Sequence, residues 1–315
     1  MRHSTVLFVL LAACSSSSQR AGFSDTAPPD TTTSSSSGGA FTPTDSDASA
    51  PTDDDCSEAS KLVYVLSSSY DLLSLTPSTG TFALIGHLDC ADTMTPNSMA
   101  VDRSGTAWVN YASGNLFKVS TKDASCEKTT YKKQGGFTRF GMAFASDAAG
   151  SDAETLFING IGDSFVSSKG HGLFKVDQQT LKLEEIGDFS DSLKEQPAEL
   201  TGRGDGKLFG FFTTKPHATL AEIDKATGAT SNVKSLTGVS TGEAWAFSYW
   251  GGDFWFYTAA LGAKASTVTR LATSGDGKIS KVTTNADDIA KANTDGKFLI
   301  VGAGVSTCAP LEPPK

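Results

Sequence analysis

The stretch Leu173-Phe174-Lys175-Val176, followed by DQQT at 177–180, is one of five copies of a single phrase. In each copy an apolar pair precedes a polar residue or two, and a turn rich in Thr, Asp and Gly follows. The other copies are Leu72-Leu73-Ser74-Leu75 before TPSTG, Leu116-Phe117-Lys118-Val119 before STKDA and Leu220-Ala221-Glu222-Ile223 before DKATG. Val268-Thr269-Arg270-Leu271 before ATSGDG completes the set. Aligning Leu75, Val119, Val176, Ile223 and Leu271 gives spacings of 44, 57, 47 and 48 residues.

From Lys61 onward the chain is a succession of short alternating or apolar runs broken by Gly, Asp, Asn and Ser. No segment of helical period and useful length interrupts them. Ahead of each phrase comes a pair of runs, such as Ser98 to Asp102 with Thr106 to Tyr111, or Trp245 to Trp250 with Phe254 to Thr258. After it comes one more, such as Phe82 to Gly86 or Leu183 to Ile186. Asp205-Gly206 and Asp276-Gly277 suit tight hairpins that need positive φ. Four short antiparallel strands repeating every 40 to 50 residues are the signature of propeller blades. The expected fold is therefore all-β: a β-propeller of about five four-stranded blades. It resembles five-bladed propellers in general and lacks the Trp-Asp and Gly-His signatures of the best-known repeat class.

The two ends of the repeat region complement each other. Leu62-Val63-Tyr64-Val65 matches a second strand with no first strand before it. Phe298 to Ser306 (FLIVGAGVS) resembles first strands such as FGMAFAS at 140–146, and no second strand follows. Joining the last strand to the first unit completes a composite blade and closes the ring, which removes its free ends. Cys308 then lies just after the closing strand and Cys56 just before the strand it joins. This predicts a Cys56–Cys308 disulfide, and by elimination Cys90–Cys126.

The N-terminus carries a separate message. Arg2 precedes an apolar run of nine residues, Thr5 to Ala13, too short to span a bilayer but suited to a signal peptide. Its end, Leu11-Ala12-Ala13-Cys14, resembles the lipobox of bacterial lipoproteins. That resemblance implies cleavage before Cys14 and acylation of its thiol. Ser15 in place of an Asp implies sorting to the outer membrane. Residues 15–55 contain no Val, Ile, Leu or Met. Such a segment cannot bury enough apolar surface to offset its ordering entropy. A flexible coil of that length spans roughly 35 Å. The expected organisation is thus a signal peptide at 1–13, a lipidated tether at 14–55 and the propeller at 56–315.

The net charge is −9, but seven Asp and two Arg fall within residues 1–55. The remainder holds 24 basic and 28 acidic residues, close to neutral. This charge argues against nucleic acid as a partner, since phosphate binding needs clustered Lys and Arg. The expected partners are the membrane, through the lipid, and a protein or polysaccharide ligand on one propeller face.

Catalytic motifs are sparse. Gly238-Val239-Ser240-Thr241-Gly242 matches a nucleophile-elbow pattern, but it lies between blades with no helix after it. His87, His171 and His217 fall in different units without ligand spacing, so no metal and no cofactor are expected. Arg203-Gly204-Asp205 spells an adhesion tripeptide at a hairpin, where turn chemistry already accounts for it. The weak catalytic alternative is a glycan hydrolase or lyase using Asp102, Glu199 and Glu243 at the channel mouth, as paired carboxylates would require. The favoured expectation is a non-catalytic binding module. Among the aromatics from Trp245 to Tyr257, Trp250 stands beside the Gly251-Gly252 turn and is the residue expected to be exposed for binding.

Overall fold

Strand residues point alternately to opposite sides, so a strand buried on both faces must be apolar throughout. That is how this chain uses its short runs. The computed structural model describes residues 56–162, 170–274 and 277–314. The segments expected to be a signal peptide (1–13) and a lipidated tether (14–55, with Cys14) lie outside them.

The first unit contributes β1 (Val63–Ser67), β2 (Asp71–Thr76) and β3 (Thr81–His87). The second is β4 (Pro96–Val101), β5 (Thr106–Tyr111), β6 (Leu116–Ser120) and β7 (Cys126–Lys128). The third is β8 (Phe137–Ser146), β9 (Glu154–Gly162), β10 (Leu173–Val176) and β11 (Leu183–Gly187). The fourth is β12 (Ala198–Gly202), β13 (Leu208–Phe212), β14 (Ala218–Ile223) and β15 (Thr230–Leu236). The fifth is β16 (Ala244–Trp250), β17 (Asp253–Ala259), β18 (Thr267–Ala272) and β19 (Ile279–Val282). A seven-residue helix, α1 (Ala286–Ala292), then leads to β20 (Ile300–Gly304).

Each set is a four-stranded antiparallel sheet, and β20 completes the first in the order β20-β1-β2-β3. The chain is a five-bladed β-propeller closed by its last strand. Tyr64 pairs with Gly304 and Val65 with Ala303 across the seam. The five aligned repeat positions all fall in the third strand of their blade, and all are buried.

Five large core clusters fill the wedges between neighbouring blades. In β1, Val63 and Val65 face the fifth blade, while Tyr64 and Leu66 face the second. In β17, Trp255 and Tyr257 face the first blade, while Phe254 and Phe256 face the fourth. The rings meet mostly edge to face, as Phe209 does on Phe254 and Trp108 on Phe144. That geometry is the favourable one for aromatic quadrupoles.

The inner strands β20, β4, β8, β12 and β16 pack side by side around the axis. Their axial edges carry backbone N–H groups that no fifth strand can satisfy, and a buried orphan is costly. Neighbouring side chains take the role. Asn110 Oδ1 accepts from the N–H of Phe140 at 3.2 Å, and Asn159 Oδ1 from Ala198 at 2.8 Å. Thr201 Oγ1 accepts from Tyr249 at 3.1 Å and Ser266 Oγ from Ile300 at 2.9 Å. Each of these bonds runs from one blade to the inner strand of the next.

Both expected disulfides are present. Cys56 and Cys308 join across the seam with Cα atoms 5.7 Å apart, and Cys90 and Cys126 with Cα atoms 5.2 Å apart. The first closes a separation of 252 residues and the second one of 36. In the chain-entropy account the longer loop stabilises by about 2 kcal/mol more. Denaturant melts should therefore show the double variant C56S/C308S losing clearly more stability than C90S/C126S. Equal losses would contradict a seam that depends on its staple.

Candidate functional site

Five strands converging on one axis leave a funnel at the end where those strands begin. A cavity of about 380 Å³ opens there, with walls drawn from all five blades. Asn97 comes from β4, Gly141 from β8, Glu199 from β12, Trp245 from β16 and Val301 from β20. Connecting segments supply Met94, Thr95 and Glu243 at the rim.

Glu199 forms the floor. It is buried, with 7% of its surface exposed, and the Ser98 hydroxyl lies 2.7 Å from its Oε2. Ser98 belongs to the second blade and Glu199 to the fourth, so this bond passes across the third. Gly141 of β8 allows the approach, because a Cβ there would sit 2.1 Å from the Ala198 carbonyl oxygen. Burial holds the Glu199 carboxyl well above the usual carboxylate range, and the Ser98 hydroxyl only partly offsets it. The side chain therefore keeps its proton to higher pH than an exposed carboxyl does.

Glu243 sits at the rim in the opposite state. Its carboxylate accepts from the Gly262 N–H at 2.9 Å and from Lys297 Nζ at 3.2 Å. The Gly262 N–H, followed by Lys297, draws its pKa down. Glu199 and Glu243 thus share one cavity with their acidities moved apart.

Asp102 is not part of this set. It follows β4 and so lies at the far end of the inner strands. There its oxygens accept from Ser104 Oγ, the Thr106 N–H and Trp108 Nε1. The strands run the same way around the axis, which is why residues at their starts and ends cannot meet. Trp250 also ends an inner strand. It is half-buried, donates its indole N–H to the Lys61 carbonyl at 2.8 Å and packs into the core between the fifth and first blades. The Gly251 N–H bonds the Pro310 carbonyl, so the C-terminal segment lies over that turn.

The residue that does line the funnel is Trp245, five positions earlier in the same strand. Trp108, Trp250 and Trp255 each donate their indole N–H to a protein acceptor. Among the described residues Trp245 Nε1 has none.

The remaining motifs resolve structurally. Gly238 to Gly242 forms a connection between β15 and β16 with no helix. Arg203 folds back onto Asp205 at 2.5 Å and stacks 4.2 Å from the Tyr249 ring centroid, closing the tripeptide on itself. His87 pairs with Asp71, His171 packs on Phe137, and no metal-ligand cluster occurs among the described residues.

At the far end of the axis, Glu154 accepts from the Arg103 N–H and from Thr307 Oγ1, each at 2.8 Å. Burial pushes its pKa from 4.5 up to about 7, against those two bonds and with help from the Asp102 charge.

No family model matches the chain, and no curated protein does. Among solved structures it is similar to the Dos1 propeller at 10% identity, over 72% of this chain and 68% of that one, with a TM-score of 0.43. It is similar to YjhT at 13% identity, over 61% and 66%, with a TM-score of 0.44. A protein of unknown function from Bacteroides caccae is similar at 12% identity, over 70% and 72%, with a TM-score of 0.40. None of these likenesses bears on function.

The two raised carboxyls set the pH response. A native state that holds a proton the unfolded chain has released is more stable at low pH, so stability falls as pH climbs through that window. For Glu154 the window runs from 4.5 to about 7, and Glu199 acts in the same direction. Denaturant melts between pH 5 and 8 should show this decline, with E154Q removing about 1–3 kcal/mol of it. A stability that rises over that range, or a decline untouched by E154Q, would contradict the assignment.

Proposed function

We propose that this chain is an exported, lipid-anchored envelope protein whose propeller is a non-catalytic recognition module, with the axial funnel as its binding site. The lipobox-like Leu11-Ala12-Ala13-Cys14 supports the anchor, and the Ser/Thr/Asp/Pro-rich stretch after it supports a tether that holds the propeller clear of the lipid. Two disulfides fit an oxidising compartment. The ligand is an envelope protein or polysaccharide.

One observation carries the recognition reading. Glu243 is held by the Gly262 N–H and Lys297, and Asp102 lies at the other end of the axis, so Glu199 has no uncommitted carboxylate beside it in the funnel. Hydrolysis of a glycan needs an acid and a base or nucleophile presented together to the substrate. The opposed acidities of Glu199 and Glu243 are the one feature in favour of a hydrolase, and catalysis would require Glu243 to leave Lys297.

Two measurements test this reading. Fatty-acid labelling of cells expressing the full chain should mark the parent and not Cys14→Ser, and the variant should leave the membrane fraction. An unlabelled parent would remove the anchor. Binding of the full chain to purified envelope polysaccharides and proteins should be lost in Ala112→Trp, which plugs the funnel from its wall, and kept in Trp250→Ala. Release of new reducing ends from a bound polysaccharide, abolished by Glu199→Gln, would replace recognition with hydrolysis.

A further inference from the structure

Three side-chain polar atoms of the inner strands are left over at the funnel, beside the Thr95 and Thr213 hydroxyls of its connecting segments. Trp245 Nε1 is a donor without an acceptor among the described residues. Glu199 uses only Oε2, on Ser98, and its second carboxyl oxygen has no protein partner there. Asn97 uses its amide N–H groups on Asn110 Oδ1 and the Phe140 carbonyl, which leaves its own Oδ1 to accept. None of the three is a sealed, unbonded atom: each faces the open cavity, where a ligand can take the place of water.

The charges narrow the class of that ligand. Glu243 is balanced by Lys297 at 3.2 Å, Arg139 is engaged within the protein, and burial of the Glu199 carboxyl disfavours its charged form. A charged ligand would bring into the funnel a charge with no counter-ion waiting, at a high desolvation cost. Its size narrows it further. A cavity of about 380 Å³ is near the lower bound of small-molecule sites, roughly 300 Å³, and admits one or two compact rings. The wall itself is amphipathic, since the Trp245 indole and Met94 stand beside Asn97, Thr95 and Thr213.

We propose that the funnel seats a terminal ring of an uncharged sugar, with its apolar face on the Trp245 indole and its hydroxyls bonded to Glu199 and Asn97. A hydroxyl both donates and accepts, which matches the mixed set of leftover atoms better than an ammonium or a carboxylate would. The aromatic supplies contact area at low entropic cost, and its in-plane N–H is left for a hydroxyl of an adjoining sugar ring or for water. Val301 of the closing strand completes the wall, so the pocket exists only when the ring is sealed. This inference rests on the recognition reading above and names its ligand.

The test is calorimetric titration of the full chain with neutral gluco-, galacto- and manno-oligosaccharides, with galacturonate oligomers and with glucosamine oligomers of equal length. A neutral series should bind best. Trp245→Ala should weaken that binding tenfold or more, Ala112→Trp should abolish it, and Trp250→Ala should leave it within twofold. A cooperative thermal melt well above the assay temperature establishes that each variant is folded, Trp250→Ala being expected to melt below the parent because its indole packs into the core. Glu199→Gln, which keeps a donor and an acceptor at the floor, should bind within a few-fold of the parent, whereas Glu199→Leu should lose most of the affinity. Tighter binding of the uronate or amine series, lost in Ala112→Trp, would overturn the uncharged sugar and leave recognition at the funnel standing. The same holds if no sugar binds at millimolar concentration while an envelope protein binds in an Ala112→Trp-sensitive way. Sugar binding unaffected by Ala112→Trp would overturn both readings.

Discussion

The pairing of β20 with β1 is the interaction on which the rest of this molecule depends. A ring of wedge-shaped sheets has no stable open form of the same shape, because its two ends would expose a strand edge and half of a core cluster. Here the last strand supplies the missing inner strand of the first blade, and Val63, Val65, Ala303 and Val305 join the cluster shared with the fifth blade. The Cys56–Cys308 bridge and the bond from Ser306 Oγ to the Ser60 carbonyl hold the same junction. Closure is a single event that buries apolar surface, satisfies a sheet edge and completes the funnel wall.

Crowding at the axis explains most of what is unusual in the inner strands. Their close approach leaves no room for side chains at Gly141, Gly202 and Gly302, each of which faces the backbone of a neighbouring inner strand. It also demands short polar side chains that reach across to satisfy the next strand's N–H groups, a role filled by Asn110, Asn159, Thr201 and Ser266. Glu199 is the one carboxyl drawn into this region, and its burial gives it a chemistry its neighbours lack. A buried carboxyl with one oxygen unspent is suited to binding a polar ligand before it is suited to any reaction.

Much of this was legible in the chain itself. The phrase ending at Leu75, Val119, Val176, Ile223 and Leu271 marks a buried third strand in every blade, because an apolar pair packing into two wedges must be followed by a tight turn. The incomplete head and tail predicted the seam, and the seam predicted both disulfides. The site was less legible. Trp245 and Trp250 belong to the same strand and read alike, yet an odd separation sends them to opposite faces and opposite ends of the axis. Periodicity shows that two residues differ in direction but not which end of the channel is open. Glu199 and Glu243 could be placed near strand starts and Asp102 near a strand end, which already separates them once the strands are known to be parallel about the axis. The bond from Ser98 to Glu199 spans three blades, and no local pattern encodes it.

The most direct test of the closed ring is native-state hydrogen exchange read by mass spectrometry on the oxidised full chain. The account predicts that amides of residues 300–304 and 63–67 exchange as slowly as those of the central strands of the other blades, through global unfolding alone. Exchange of 300–304 within seconds, while the other inner strands stay protected, would show that the tail does not seal the ring.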